Sequence, residues 1–220
     1  MTMSRTNLDE RMDRVRSDIL QMSSRVEEDL RKAVEALRER DAELAAWVRD
    51  DDGTVNAMQA RVQDMAATLM ATQGPVAQDL RELVSSIRLA DNLERMGDYA
   101  VHLAKTAIKL KDSDWPRQFA LLAEMGDRGC EMIRLMTEAF LGRDVEAASA
   151  CAAMDARVDE LHHEIIEITL KDLKASADQA EEAIKLIRTS AFLERLADHV
   201  TNSCELVAYV VTGSHAEFND

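Results

Sequence analysis

Apolar residues in the first forty positions of the chain recur at spacings of three and four. Their stripe consists of Leu8, Met12, Val15, Ile19, Met22, Val26, Leu30, Ala33 and Leu37. This spacing places one apolar face along an α-helix. It predicts a long helix over residues 8–40 that packs lengthwise against other helices.

Turn-forming residues divide the rest of the chain into five further helical segments. Gly53 in the sequence DDGT predicts a break inside the second segment. Pro75 and Pro116 suit the first turns of the third and fourth helices. The predicted segments cover residues 41–72, 75–110, 116–141, 144–177 and the stretch from there to 211, followed by a disordered tail at 214–220.

The two halves of the chain match each other. At an offset of 103, Met22 aligns with Met125 and Arg31 with Arg134. The second half is three residues shorter before its last helix, so the offset there is 100, and LERMGD at 93–98 aligns with LERLAD at 193–198. Such internal repetition indicates a duplicated structural unit. We therefore predict an all-α fold of two tandem, pseudo-symmetric three-helix bundles, with domains at 1–112 and 113–213.

Composition supports long packed helices and limits the possible functions. Hydrophobic residues make up 46% of the chain and aromatic residues only 4%, while the formal net charge is −15. That charge argues against nucleic-acid binding. The N-terminus lacks the apolar core of a signal peptide, and no apolar run approaches the roughly 18 residues of a membrane span, so a cytoplasmic protein is expected. The three cysteines show no CxxC spacing and are interpreted as small buried residues.

The repeated segment places two carboxylates side by side in each half. Glu94 and Asp98, like Glu194 and Asp198, are separated by one helical turn. A polar set on the preceding helix of each half shares a face that could meet them. These sets are Asp52, Asn56 and Gln59 in the first half and Asp155, Asp159 and His162 in the second.

Two interpretations of these acids remain open from the residues alone. If only the opposite stripe of the third helix is buried, the carboxylates are solvated; if they converge across the bundle, a multivalent cation can offset their repulsion. Oxygen ligands suit Mg, Mn, Ca and iron, and a histidine favours iron or zinc. Glu160 and His163 also form one Glu-x-x-His motif, whereas the di-iron carboxylate enzymes require two.

The motifs resemble those of the PhoU family, the phosphate-transport accessory proteins of bacteria. LERMGD, LERLAD, QGPVAQDLR at 73–81, DDGTVNAM and AAMDARVDEL carry the resemblance, which covers nearly the whole chain. Ala197 departs from the family pattern, because a glycine is usual between the arginine and the aspartate.

The resemblance implies a cytosolic, non-enzymatic negative regulator of phosphate uptake and phosphate-starvation signalling. Its implied partners are the ATP-binding subunit of the phosphate ABC transporter and a sensor histidine kinase. Any membrane association would be peripheral and made through partners, and a homodimer is possible. The alternatives are a metal-free helical scaffold and a di-iron oxidoreductase. Carried over by position, the implied metal ligands are Glu94, Asp98, Asp91, Asp52 and Asn56 in the first half, and Glu194, Asp198, Asp155, Asp159 and His162 in the second.

Overall fold

The structure is a computed structural model that describes residues 2–51, 53–175 and 177–218. Its helices, together with a short 3-10 turn at Ala177–Gln179, account for the two predicted halves. They are α1 (Thr2–Glu39), α2 (Ala42–Asp50), α3 (Gly53–Gln73), α4 (Gln78–Lys109), α5 (Pro116–Gly142), α6 (Val145–Ala152), α7 (Asp155–Ala175) and α8 (Ala180–Thr212).

Local sequence explains most of the helix boundaries. The Asp41 side chain caps α2 by accepting from the backbone N–H groups of Glu43 and Leu44, and Asp144 caps α6 in the same way from Ala147. Pro116 opens α5 as predicted, since the first turn of a helix does not need its missing N–H.

The expected start of the third predicted helix is wrong. The helix expected from Pro75 begins instead at Gln78, because the backbone is left-handed at Gly74 (φ 56°) and again at Ala77 (φ 51°). The fifth predicted segment, 144–177, consists of the two helices α6 and α7. Each half is therefore a three-helix bundle whose second helix is made of two pieces.

The two bundles share one continuous hydrophobic core. Helices α1, α4, α5 and α8 pack together in the centre, with α2 and α3 outside α1 and α4, and α6 and α7 outside α5 and α8. Helices α4 and α8 run antiparallel, because Asn92 bonds to Ser203 while Thr106 bonds to Thr189. The two halves are thus joined along the length of α4 and α8.

Helix α4 buries the stripe opposite to its acids. Leu89, Leu93, Met96, Ala100 and Leu103 are completely buried, whereas Leu80 and Val84, on the stripe that carries the acids, are about two-fifths exposed, at 40% and 38%. The carboxylates of α4 therefore lie at the margin of the core.

Helices α1 and α5 approach closely at Gly126. A β-carbon added there would overlap Cγ2 of Val34, whereas one added at Gly97 would meet Val55 at an ordinary 3.4 Å. Gly97 is therefore not required for close packing. Its counterpart Ala197 is accommodated in the core with no exposure.

The C-terminal segment contacts α8 as far as Phe218. His215 stacks on Tyr209 with ring centres 4.6 Å apart, and the backbone N–H of Phe218 donates to Glu205 at 3.1 Å. The tail is held because its aromatic and backbone groups find partners on α8. None of the described helices has the length and apolar character needed to span a membrane.

Candidate metal centre

Four carboxylates line one cavity in the second half. Asp155 and Asp159 lie on α7, Glu194 and Asp198 lie on α8, and the cavity volume is about 300 Å³. Its remaining lining is Ala152, Ala153, Ala156 and Phe218. The predicted acids of this half are therefore brought together.

The convergence follows from helical periodicity. Each pair is separated by four residues, so both members project from one side of their helix. Helices α7 and α8 pack against each other, which turns the two pairs toward a common space. Asp155 is the first residue of α7, directly after the turn that separates it from α6.

Burial and mutual repulsion make these carboxylates reluctant to ionise. Asp155 is buried, its Oδ1 atom has no hydrogen-bond partner, and burial followed by the charges of Asp159, Asp198 and Glu194 raises its pKa to about 7. Burial followed by the charges of Asp198 and Asp159 raises the pKa of Glu194. The pKa of Asp198 is also raised, by burial and then by Asp159.

The donor set suits a hard cation. An unsatisfied buried carboxylate oxygen among three further carboxylates is a group that a cation would satisfy and neutralise. Within the part of the chain that the structure describes, no three Asp, Glu, His or Cys side chains already stand in a metal-binding arrangement. The residues fit a cation by their chemistry, and ligation would require them to draw closer.

His162 does not line this cavity. Its Nδ1 lies 2.8 Å from the hydroxyl of Ser190, whose own proton is donated to the carbonyl of Ile187 at 2.8 Å. The Ser190 oxygen therefore accepts from His162, which fixes the proton on Nδ1. Burial, followed by the charge of His163, lowers the pKa of His162. This histidine serves the contact between α7 and α8.

The first half arranges its polar residues differently. Gln59 and Gln63 both donate to Oδ1 of Asp91, at 2.9 and 2.7 Å. Asp98 accepts from Arg95 at 3.2 Å, and Arg95 also lies 3.5 Å from Glu94. The acids of this half are thus largely engaged by amides and by an arginine.

The other two candidates of the first half add little to this arrangement. Asn56 is exposed, and Asp52 lies outside the described residues. The second half has aspartates, Asp155 and Asp159, at both corresponding positions. The two halves therefore offer different ligand sets.

The lone Glu-x-x-His motif faces away from the bundle. Glu160 and His163 are exposed, Arg157 pairs with Glu160 at 2.9 Å, and Nδ1 of His163 donates to the carbonyl of Asp159 at 2.8 Å. A di-iron centre needs such motifs inside the bundle. The geometry does not support one here.

Two contributors were missed in the sequence. Gln63 could have been found, because it follows Gln59 by one turn on the same face of α3. Phe218, which closes one side of the carboxylate cavity, could not, because no periodic pattern ties an isolated tail residue to a helix.

Comparisons with known proteins agree over nearly the full length. The PhoU domain family matches residues 19–107 and 122–207. The chain is similar to the phosphate-specific transport system accessory protein PhoU homolog of Clostridium acetobutylicum, at 27% identity over 99% of this chain and 100% of that protein. The homolog of the same name from Deinococcus radiodurans is 33% identical over 89% of this chain and 92% of its own length.

Solved structures give the same result. The crystal structure of PhoU from Pseudomonas aeruginosa superposes with a TM-score of 0.89 at 29% identity, covering 94% of this chain and 99% of that one. The phosphate transport system regulatory protein PhoU from Streptococcus pneumoniae gives a TM-score of 0.87 at 26% identity, with coverage of 96% and 99%.

Proposed function

The chain belongs to the PhoU family, and on that premise we propose that it is an accessory regulator of phosphate transport that restrains uptake and represses the phosphate-starvation response. The observation that carries the proposal is the match to PhoU domains in both halves of the chain. The similarity in fold to a phosphate transport system regulatory protein supports it.

The regulation would work through protein contacts rather than catalysis. We propose the ATP-binding subunit of a phosphate ABC transporter and a sensor histidine kinase as the partners. The long helices offer extended outer faces, and large apolar side chains are exposed on them, such as Trp47 on α2 and Ile184 on α8. Exposed apolar groups rimmed by polar residues are typical of protein-binding surfaces.

A bound divalent or trivalent cation is a separate part of the proposal. Asp155, Asp159, Glu194 and Asp198 would hold it in the second half. The cation would neutralise their charge and connect α7 to α8. The buried, unpartnered oxygen of Asp155 supports this assignment, and oxygen donors favour Mg, Mn, Ca or iron over softer metals.

Gene deletion tests the regulatory function. In phosphate-rich medium, we expect the deletion strain to express alkaline phosphatase and to take up phosphate faster than the parent, and the intact gene to restore both. A strain with unchanged repression and unchanged uptake would overturn the proposal. Co-purification with the transporter ATPase and with the kinase would test the two partners separately.

A metal-free helical scaffold is the second candidate. The spread of the four carboxylates in the described structure favours it, because they do not yet form a ligand shell. It predicts that melting is insensitive to chelator while partner binding is retained. The cation proposal predicts a melting temperature that falls on chelation.

A further inference from the structure

A second polar cavity of about 220 Å³ lies between α4 and α8, away from the carboxylate site. Thr106 and Thr189 lie buried in it, joined by a hydroxyl hydrogen bond of 2.8 Å, and the stacked rings of His102 and Phe192 line it as well. The cavity therefore lies at the junction of the two halves.

Four cationic side chains line this cavity, which we call the basic cavity. They are Lys105 and Lys109 from α4 and Lys185 and Arg188 from α8. The chain carries 27 basic residues and 42 acidic ones, so a cluster of four cations around one small cavity has the opposite sign to the net charge of the chain. Such a cluster concentrates positive potential where the rest of the molecule is negative.

One carboxylate competes at the edge of the basic cavity. Glu181 pairs with Lys185 at 2.6 Å and is highly exposed. Its pKa is lowered, first by the bond to Lys185 and, more weakly, by Lys109. Among the described residues, Lys105, Lys109 and Arg188 form no ion pair within 4.0 Å, although Lys109 is close enough to Glu181 to influence its pKa.

The internal duplication does not account for the cluster. At the opposite end of the α4–α8 pair, the positions equivalent to Lys105 and Lys109 are Glu205 and Tyr209. There Glu205 accepts the backbone N–H of Phe218, and Tyr209 is covered by His215. One end of this junction is therefore basic and open, while the other carries an acid and is covered by the tail.

We propose that the basic cavity binds a phosphoryl group, either as inorganic phosphate or as the terminal group of a small phosphorylated ligand. Lysine and arginine are the common cationic donors to phosphate oxygens, whereas the hydroxyl protons of Thr106 and Thr189 are already donated to backbone carbonyls or to each other. The cavity is smaller than the roughly 300–1,000 Å³ of pockets that enclose drug-sized ligands. This binding is a property of the isolated protein and does not depend on the proposed regulatory function.

Calorimetric titration of the full chain at an ionic strength of about 0.1 M, where the Debye length is about 10 Å, tests the proposal. Inorganic phosphate and ADP serve as separate probes, with chloride at matched ionic strength as the blank. We expect saturable binding of phosphate, and ADP distinguishes a free ion from a phosphoryl group carried by a larger ligand. Lys105→Gln with Arg188→Gln should weaken binding at least about tenfold, because two charged donors are lost.

The matched control removes two charges elsewhere. Arg88 is the exposed counterpart of Arg188 at the opposite end, and Lys171 is exposed on α7. Arg88→Gln with Lys171→Gln gives the same net charge, and we expect it to leave phosphate affinity within about twofold, since distant exposed charges are screened by salt. Equal weakening in both double variants would reduce the binding to general electrostatics and overturn the proposal.

A gain of affinity gives an independent test. Glu181→Gln removes the competing carboxylate from an exposed position, so it should tighten phosphate binding by about threefold or more, as expected for loss of a nearby like charge. Misfolding of this variant could not produce a gain of phosphate affinity. Absence of saturable binding by either probe to both the parent and Glu181→Gln would also overturn the proposal.

Discussion

Arg16 donates to both carboxylate oxygens of Glu82, from Nε to Oε1 at 2.6 Å and from Nη2 to Oε2 at 3.1 Å. Glu82 is buried on α4 and also accepts from Arg143, at the C-terminal end of α5. One carboxylate therefore joins α1, α4 and α5, and with them the two halves. Its charge is tolerated in the core because two guanidinium groups neutralise it.

Glu82→Gln should lower the free energy of unfolding by about 1.5–3 kcal/mol, the range for hydrogen bonds to charged groups, because both arginines are partly exposed. The two arginines would keep their charge without the anion that compensates it, and removal of one partner from a buried ion pair is strongly destabilising. Urea unfolding measures the change. As a control, Glu138→Gln breaks the exposed 2.9 Å pair with Arg134, which should cost no more than about 0.5 kcal/mol. Equal losses in the two variants would contradict the assigned role of Glu82.

Gly126→Ala should destabilise the protein by about 1–3 kcal/mol, because the new methyl group would overlap the Val34 side chain and overpacking strains the core. Val34 cannot turn aside easily, since β-branched residues are restricted in a helix. Gly97→Ala is the matched control. Its methyl group has room, and alanine favours the helix by about 1 kcal/mol. Thermal melting compares the two, and a tolerated Gly126→Ala would show that α1 and α5 are less tightly packed than the structure indicates.

Metal binding should differ between the two halves. Glu194→Gln with Asp198→Asn should abolish most binding of Mn, as measured by equilibrium dialysis, because two of the four clustered carboxylates are lost. Glu94→Gln with Asp98→Asn should have a smaller effect, since Arg95 already engages that pair. A larger loss from the first-half variant would reverse the assignment of the stronger site.

Stability in the presence of chelator should fall as the pH rises from about 4 to 7. The pKa of Asp155 increases from an ordinary 3.8 to about 7 on folding, so over this interval the folded state binds more protons than the unfolded state, and raising the pH favours unfolding. The shift corresponds to at most about 4 kcal/mol.

Asp155→Asn provides the control for this pH dependence. The neutral amide has no proton to lose, so the variant should be more stable than the parent at pH 8 in chelator and should lose most of the slope. Unfolding curves collected across the pH range measure both effects. Parallel pH profiles for the two proteins would show that Asp155 does not titrate as described.

The two halves should unfold in a single transition, because they share one core. The chain has two tryptophans, Trp47 in the first half and Trp115 at the entry to the second. Trp115→Phe and Trp47→Phe leave one fluorescent reporter in each half. In each variant, the midpoint of denaturation measured by tryptophan fluorescence should equal the midpoint measured by far-UV circular dichroism. A fluorescence midpoint that differs from the circular-dichroism midpoint would indicate bundles that unfold independently.

Periodicity predicted the helices well because it reports burial along one element. The stripe of Ile19, Met22 and Val26 is buried as expected, and repetition revealed the two matching halves. Patterns of this kind contain no information on how one half meets the other. The sequence therefore did not reveal that α1 and α5 approach at Gly126, or that the bundles merge into one core.

In the acid cluster, too, the sequence predicted contacts within one helix better than contacts between helices. Spacing correctly grouped Asp155 with Asp159 and Glu194 with Asp198, because both pairs are local. It also assigned His162 to the group, since the residue lies on a neighbouring turn, but Ser190 on the facing helix engages that side chain. Hydrogen-bond partners supplied by another helix are not encoded in the spacing of the first.

Phe218 has a practical consequence for experiments with this protein. Its ring forms part of the wall of the carboxylate cavity, and its N–H group is anchored to Glu205. An extension or a cleavage next to Phe218 would therefore alter the lining of that cavity. Metal titrations are therefore best made with an N-terminal tag, and intact mass should be verified before two preparations are compared.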